Sequence, residues 1–467
     1  MSKFNIKKPA VTKVKNLAGG FAYKLDVQSE LVHAVLTTFL DDKYYESSKE
    51  RVDRLNDLVS KNDPTFVAKL AVYARKTFHL RSVSTLILGA LAKVHRGDDL
   101  VKKAIVTATE RPDDLTELVA LVGTPIPKQV KRGVRNAILK FNRYQLAKYR
   151  QEGKGVSLVD LFNLTHPKVQ HANEEQKVAW KDLIEGKLKS EDTWESEISD
   201  KENTDKKETW EQLVLSNKMG YMALLRNLNN LVKNGVSDEV IKHAATRLSD
   251  KEEVLKSKQL PFRFMTAFDH VKGNRKLTDA IAMALEHSVA NLQPLEGKTL
   301  IGVDISSSMS GRPMEIASLF AGILAKRNNA DIVCFNDRLG ELKYTTLSPV
   351  IEIANSIRKL CTGGTQTSLV FQYAADKGYN NIIILSDNES WKENGWSGAG
   401  SVDSVYRMLK PQLNNARVFC IDIEGYGTKE IADANVKHIS GWSDKVLDYI
   451  NYSKEGLVDK INKVELN

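Results

Sequence analysis

The sequence predicts a molecule in two parts, an array of α-helices followed by a doubly wound α/β sheet. Three observations carry this. Before Pro294, apolar residues recur at three- and four-residue spacings; after Gly297, short apolar runs alternate with helical text. Charge divides along the same line, with 49 Lys+Arg against 38 Asp+Glu in residues 1–295 and 19 against 21 in the remainder. At 467 residues the chain exceeds what one core sustains, and 42% hydrophobic with 27% charged residues is ordinary globular composition.

In the first part, "DPTFVAKLAVYARKTFHL", "SVSTLILGALAKVHR", "DDLTELVALVG", "KMGYMALLRNLNNLVKNG" and "SDEVIKHAATRLSD" each read as an amphipathic helix bounded by Asp, Ser, Gly or Pro. Brief connections between them predict a helical array without a strict repeat period. The stretch 174–211 departs from this pattern. Mixed charge dominates there, predicting a helix followed by a mobile loop around Ser199 to Lys207.

In the second part, "KTLIGVDIS", "ADIVCFND", "NIIILSDNE" and "ARVFCIDIE" read as strands. The segments "PMEIASLFAGILAKRN", "SPVIEIANSIRKL", "SVDSVYRMLK" and the terminal "SDKVLDYINYSKEGLVDKINKV" read as helices. Strands buried on both faces with helices between them argue for a parallel sheet, whose ligands sit beyond the carboxyl ends of the strands. Domains are therefore expected at 1–295 and 296–467.

Cys334, Cys361 and Cys420 lie in or beside strand text and make no disulfide framework, so they read as small buried hydrophobes. No run of about 18 apolar residues occurs, and "MSKFNIKKPAVTKVKN" lacks the apolar core of a secretory signal. A cytoplasmic protein that crosses no membrane is expected.

The stretch "VDISSSMSG" breaks a buried strand into a carboxylate and three serines. One reading is a turn in which short side chains satisfy local backbone groups. The other is a metal site, because two further polar loops fall at the same sheet edge: "CTGGTQTSL", with Thr365, and "IIILSDNES", with Asp387. Asp304, Ser306, Ser308, Thr365 and Asp387 are hard oxygen donors, which suit Mg2+ or Mn2+, and His and Cys ligands for zinc are absent from these loops. Few charged ligands would leave the ion electron-poor, open to a carboxylate or phosphate oxygen from a partner.

This D-x-S-x-S, Thr, Asp order resembles the metal-ion-dependent adhesion site of the von Willebrand factor A domain, over about residues 297 to 467. The resemblance implies those five residues as ligands, some through water. Thr367 competes with Thr365 for the threonine position.

The second informative stretch is "LVGTPIPKQVKRGVRNAILKFNRYQLAKYR". It holds Lys128, Lys131, Arg132, Arg135, Lys140, Arg143, Lys148 and Arg150 with no Asp or Glu. At 100° per residue, Lys128, Lys131, Arg132, Arg135 and Arg143 share one face, opposite Val130, Val134, Ile138 and Phe141. A charged face is usually only a solvated face. Without compensating acids, however, these cations repel unless a polyanion neutralises them, which points to nucleic acid. Tyr144 and Tyr149 are placed to stack on bases or to fill the core. Downstream, "LFNLTHPK" adds His166 and Lys168; His166 serves either as a structural hydrogen-bonding group or as a contact residue.

The texts "RSVS", "IPKQVKRGVRNAILKFNRYQLAKYR", "LFNLTHPK", "YMALLRNLNNL" and "LPFRFMTAF", followed by a strand ending in "SDNE", resemble the TROVE module and the A domain of the Ro autoantigen family, in a bacterial-type member. The resemblance covers nearly the whole chain, with the modules in the same order. It implies a ring of HEAT-like helical pairs closed by the A domain and sufficient as a monomer. It further implies that small non-coding Y RNAs bind outside the ring and single-stranded 3′ ends of misfolded RNAs pass through its hole. Lys128, Lys131, Arg132, Arg135, Arg143 and His166 would then face RNA. The mixed-charge stretch after Gln170 departs from the family pattern.

The expected function is a non-catalytic RNA scaffold in quality control or processing, with Mg2+ linking captured RNA to a protein such as an exoribonuclease. One rival is an adhesion-type protein-binding module on a passive helical scaffold. Another is a metal-dependent nuclease or phosphatase, for which the hydroxyl-rich ligand set is poorly suited, because cleavage needs a water-activating base and often a second ion.

Overall fold

The computed structural model describes residues 12–36, 48–149, 155–188, 198, 205–259, 261–391, 401–433, 435–440, 450 and 457–467. The chain forms two compact units, one from Met1–Glu46 and Trp210–Lys454, the other from Ser47–Thr209 and Glu455–Asn467.

The second unit is an array of short helices. Pro64–Lys76 starts where Asp63 accepts a hydrogen bond from the Phe66 amide (2.8 Å) and Pro64 supplies a helical φ at no cost in backbone donors. It packs on Arg81–Val94, which packs in turn on Pro112–Val122, while Leu100–Ala108 packs on Lys128–Ala137. Neighbouring helices joined by brief connections are the helical array the periodicity predicts, consistent with the HEAT-like pairs the resemblance implies.

A carboxylate ties three of these segments together. Asp114 accepts from Arg75 Nη2 (3.0 Å), Arg81 Nε (2.9 Å) and the amides of Glu110 and Arg111 (both 3.1 Å), and its side chain is buried. With four donors the charge is fully satisfied; truncating it would leave buried Arg75 with only its second partner, Glu110 (3.0 Å).

Two expectations about this unit need correction. Lys206 and Lys207, placed in a mobile loop, open the helix Lys206–Leu215, Asp205 caps it by accepting from the Glu208 amide (3.0 Å), and 199–204 lie outside the described residues. The C-terminal helix Leu457–Asn462, expected beside the sheet, packs on Pro64–Lys76, and the Asn467 amide donates to Thr107 Oγ1 (2.9 Å). Its short amphipathic pattern left the choice of partner face open.

The other unit contains a six-stranded sheet. Its strands are β3 (Thr299–Asp304), β4 (Asp331–Phe335), β5 (Leu339–Leu342), β6 (Asn381–Ser386), β7 (Arg417–Asp422) and β9 (Val436–Ser440), in the order β5-β4-β3-β6-β7-β9. Every pairing is parallel except β4–β5. Every residue of β3 and β6 is buried, as their unbroken apolar text requires. Arg312–Asn328, Val350–Arg358, Ser368–Ala374 and Val402–Leu409 supply the covering helices, and Phe371 meets Tyr406 edge-on at 5.2 Å.

A smaller sheet was not anticipated. Strands β1 (Lys13–Lys15) and β2 (Phe21–Lys24) form a hairpin that pairs antiparallel with β8 (Thr428–Lys429). These strands are too short and too charged to register as a period-two pattern. Among the described residues no helix is long and apolar enough to cross a membrane.

Replacing Asp114 with Ala should cost about 3–5 kcal/mol, the range for breaking a buried ion pair. Urea denaturation followed by helical circular dichroism measures this; an unchanged midpoint would remove the network from the account of stability.

Candidate nucleic-acid interface and candidate metal centre

The basic helix Lys128–Ala137 buries Val130, Gly133, Val134 and Ala137. A Cβ on Gly133 would come within 2.9 Å of the Ile105 side chain, so only glycine lets this helix lie so close to Leu100–Ala108. That docking leaves Lys128 and Arg132 exposed and Lys131 and Arg135 half-buried.

The helix does not run on to Arg143. A 3-10 turn, Ile138–Lys140, follows, and Asn142 then caps a new helix, Arg143–Lys148, through a reciprocal pair of bonds with Gln145. Projecting Arg143 onto the same face as Lys128 is therefore wrong. Its Nη1 binds Asp182 at 2.6 Å. Lys140 Nζ donates to the carbonyls of Val106 and Thr109 (3.3 Å to the latter). Lys148 lies against the rings of Tyr144 and Tyr149, and Arg111 covers the Tyr149 ring at 4.4 Å. Neither tyrosine is buried, and Arg150 lies outside the described residues.

Five predicted residues do converge. Lys128, Lys131, Arg132, Arg135 and Lys168 line one groove of about 490 Å³, joined by Asn136 and His171, with no carboxylate among its walls. Neighbouring elements temper the charge that the stretch itself leaves uncompensated. Asp99 stands 3.6 Å from Arg132, and Arg135 Nε donates to the Thr165 carbonyl. Lys128, Lys131 and Lys168 form no ion pair among the described residues.

His166 takes another position. It ends the helix Leu158–Thr165 in the left-handed conformation (φ 51°), with its side chain exposed. It opens onto a second cavity, of about 540 Å³, beside Pro167, Phe162, Trp180 and Lys181. Phe162 and Trp180 meet edge-on at 5.1 Å, and the buried Trp180 Nε1–H has no hydrogen-bond partner. Trp180 was missed because its stretch reads as charged. Yet Gln176, Ala179, Trp180 and Leu183, buried on the helix Glu174–Ile184, keep helical spacing.

At the sheet edge, three loops are laced together by backbone bonds. The Thr362 amide donates to Ile305 O (2.7 Å), Ser307 N to Gly363 O (3.0 Å), and Trp391 N to Thr365 O (3.3 Å). Asp304, Ser306, Ser308, Thr365 and Asp387 are all buried. Asp304 accepts from Ser306 N (2.9 Å) and Ser386 Oγ (2.6 Å), so the local turn reading is realised as well. Ser306 Oγ lies 3.2 Å from Ser308 Oγ. Asp387 Oδ2 is buried with no hydrogen-bond partner, and so is Thr367 Oγ1.

Burial raises the Asp304 carboxyl to about 6. Burial, then the Asp304 charge, raises Asp387 well above the usual carboxylate range. Glu389, also buried, is raised to about 8. Two crowded carboxylates beside hydroxyls, with one carboxylate oxygen unsatisfied, fit a hard divalent cation. Among the described residues no group of three or more His, Cys, Asp or Glu could hold a metal, so such a site depends on hydroxyl oxygens.

The N-terminal hairpin borders this edge. Asn16 Nδ2 donates to Ser390 O (2.8 Å) and the Ala18 amide to Glu389 Oε2 (3.0 Å). A Cβ on Gly20 would fall 1.8 Å from Ser390 O, a position only glycine can occupy.

The TROVE domain model matches residues 33–186 and 184–288, more than half of the chain, and the chain belongs to that family. It is 24% identical over 266 residues to the RNA-binding protein RO60 of Caenorhabditis elegans, covering 51% of this chain and 40% of the relative. It is 40% identical over 85 residues to mouse telomerase protein component 1, covering 18% of this chain and 3% of that protein. The chain thus spans less than half the length of these curated relatives. Its fold is similar to the crystal structure of the Deinococcus radiodurans Ro protein (RSR), with a TM-score of 0.64 and 16% identity over 91% of this chain and 99% of that one.

Each raised carboxyl holds its proton more tightly in the fold than in the unfolded chain. Its contribution to stability is present at low pH and is lost as pH rises through about 6 for Asp304 and about 8 for Glu389. In chelator the melting temperature should fall from about pH 4 to about pH 8 and level off above. A flat profile would mean that these carboxyls ionise in the fold as they do in the unfolded chain.

Proposed function

We propose that this chain is a non-catalytic RNA-binding protein of the Ro type. The observation that carries this reading is the acid-free groove of Lys128, Lys131, Arg132, Arg135 and Lys168 in a TROVE-family chain. RNA binding by the worm relative supports it. The groove suits a phosphate backbone, which Lys and Arg hold with little sequence information. The neighbouring cavity suits an unpaired base, which the buried Phe162 and Trp180 rings would floor. His166 stands at its mouth. Small structured RNAs of the Y type, and RNAs with single-stranded ends, present both features.

The sheet-bearing unit is read as a von Willebrand factor A-like domain. Asp304, Ser306, Ser308 and Asp387, with Thr365 or Thr367, would hold Mg2+ or Mn2+, and the unpartnered Asp387 oxygen supports this. When bound, such an ion supplies a Lewis-acidic position for an acidic side chain of a protein partner, an exoribonuclease among them. The chain's own contribution is to hold the hydroxyls in place through the three laced loops. Hydroxyl donors favour docking over cleavage, and the neighbouring Glu389 carboxylate is engaged by the Ala18 amide (3.0 Å).

Reversing charge at Lys128, Lys131 and Lys168 should weaken RNA binding about tenfold or more at moderate salt and flatten the salt dependence. Arg135 is spared because it also bonds the Thr165 carbonyl. Filter-binding titration is the test; unchanged affinity would exclude the groove. Separately, Asp387→Ala should abolish Mg2+ binding in calorimetry while leaving RNA affinity within about twofold. Absence of Mg2+ binding by the unmodified protein would end the metal reading.

A further inference from the structure

Two stretches that take no part in the RNA groove, "YMALLRNLNN" and "PFRFMTAFDH", form one cavity in the sheet-bearing unit. On the helix Tyr221–Lys233, Met222, Leu225, Arg226 and Asn229 line it, at positions i, i+3, i+4 and i+7. On the helix Pro261–His270, Arg263, Ala267 and His270 line it, at i, i+4 and i+7. Each helix thus contributes an apolar floor flanked by one arginine.

We propose that this cavity binds one phosphorylated nucleotide, with its base on the apolar floor and its phosphate between Arg226 and Arg263. Charge selects the ligand class. Neither arginine has a carboxylate partner among the described residues, and no acid lines the cavity, so two guanidiniums face solvent with only His270 beside them. Guanidinium forks bind phosphate bidentately and also stack on flat rings.

Volume narrows it further. The cavity holds about 190 Å³, below the roughly 300–1,000 Å³ that enclose a whole small ligand. One flat ring fills it, and sugar and phosphate remain at the mouth, where both arginines are exposed. Asn229 and Thr266 offer donors and acceptors for a base edge. The nucleotide is either free or the terminal residue of an RNA strand, and the chemistry of recognition is the same. The site goes beyond the groove and does not depend on it.

Isothermal titration of the full chain with 5′-AMP should give a Kd of about 1 mM or tighter, with adenosine about tenfold weaker or more. Arg226→Ala with Arg263→Ala should weaken 5′-AMP about tenfold or more. Met222→Trp, which fills the cavity without changing charge, should do the same. A 5′-phosphorylated oligoadenylate that displaces 5′-AMP identifies an RNA terminus as the source; one that does not identifies the free nucleotide. No 5′-AMP binding, or equal binding by both variants, overturns the proposal. RNA affinity of the Lys128, Lys131 and Lys168 charge-reversal variant reports on the groove alone, so the two readings fail separately.

Discussion

The pairing of β3 with β6 is the constraint on which the sheet edge depends. Parallel register places Val303 opposite Leu385, so both chains leave the sheet at one level and bring Asp304 and Asp387 together. Burying two carboxylates side by side is unfavourable unless protons or a cation neutralise them. The raised pKa values express the proton alternative, and the hydroxyls of the facing loops make the cation alternative possible. Backbone bonds across the three loops hold these donors in place before any ion arrives, so a cation would meet a preorganised set.

In the helical unit a comparable constraint acts through packing. Gly133 against Ile105 fixes how close the basic helix lies to its neighbour, and that contact decides which cations face outward. Counting charge along the sequence overestimated the exposed positive field. Asp99 meets Arg132 across 33 positions and Asp182 meets Arg143 across 39, both from outside the basic stretch. What remains unpaired is smaller and more localised, a groove rather than a ridge.

Much of this was legible in the sequence. Three-to-four-residue periodicity marked the helices of the array, because burial on one face leaves that signature, and short apolar runs marked the four central strands, β3 and β6 being buried on both faces. The loop residues at the sheet edge were legible because strand ends of a parallel sheet share one side. The edge strand β5 and the hairpin β1–β2 were not, since short, half-exposed strands carry no distinctive period. The break at Ile138 was also hidden. Its cause is the capping pair of Asn142 and Gln145, which an unbroken projection passes over. Trp180 was obscured by its charged neighbours, and Arg226 with Arg263 lie in separate segments whose meeting only tertiary packing reveals.

The hairpin has a further consequence for how the chain comes together. Asn16 and Ser390 are separated by 374 positions, and β2 pairs with a strand near residue 429. During synthesis the hairpin is made 374 positions ahead of Ser390 and has to wait for its partners. A fragment cut at Glu296 would carry the sheet without the segment that seats against Ser390. The sheet-bearing unit is therefore completed when an early-made segment meets one made much later.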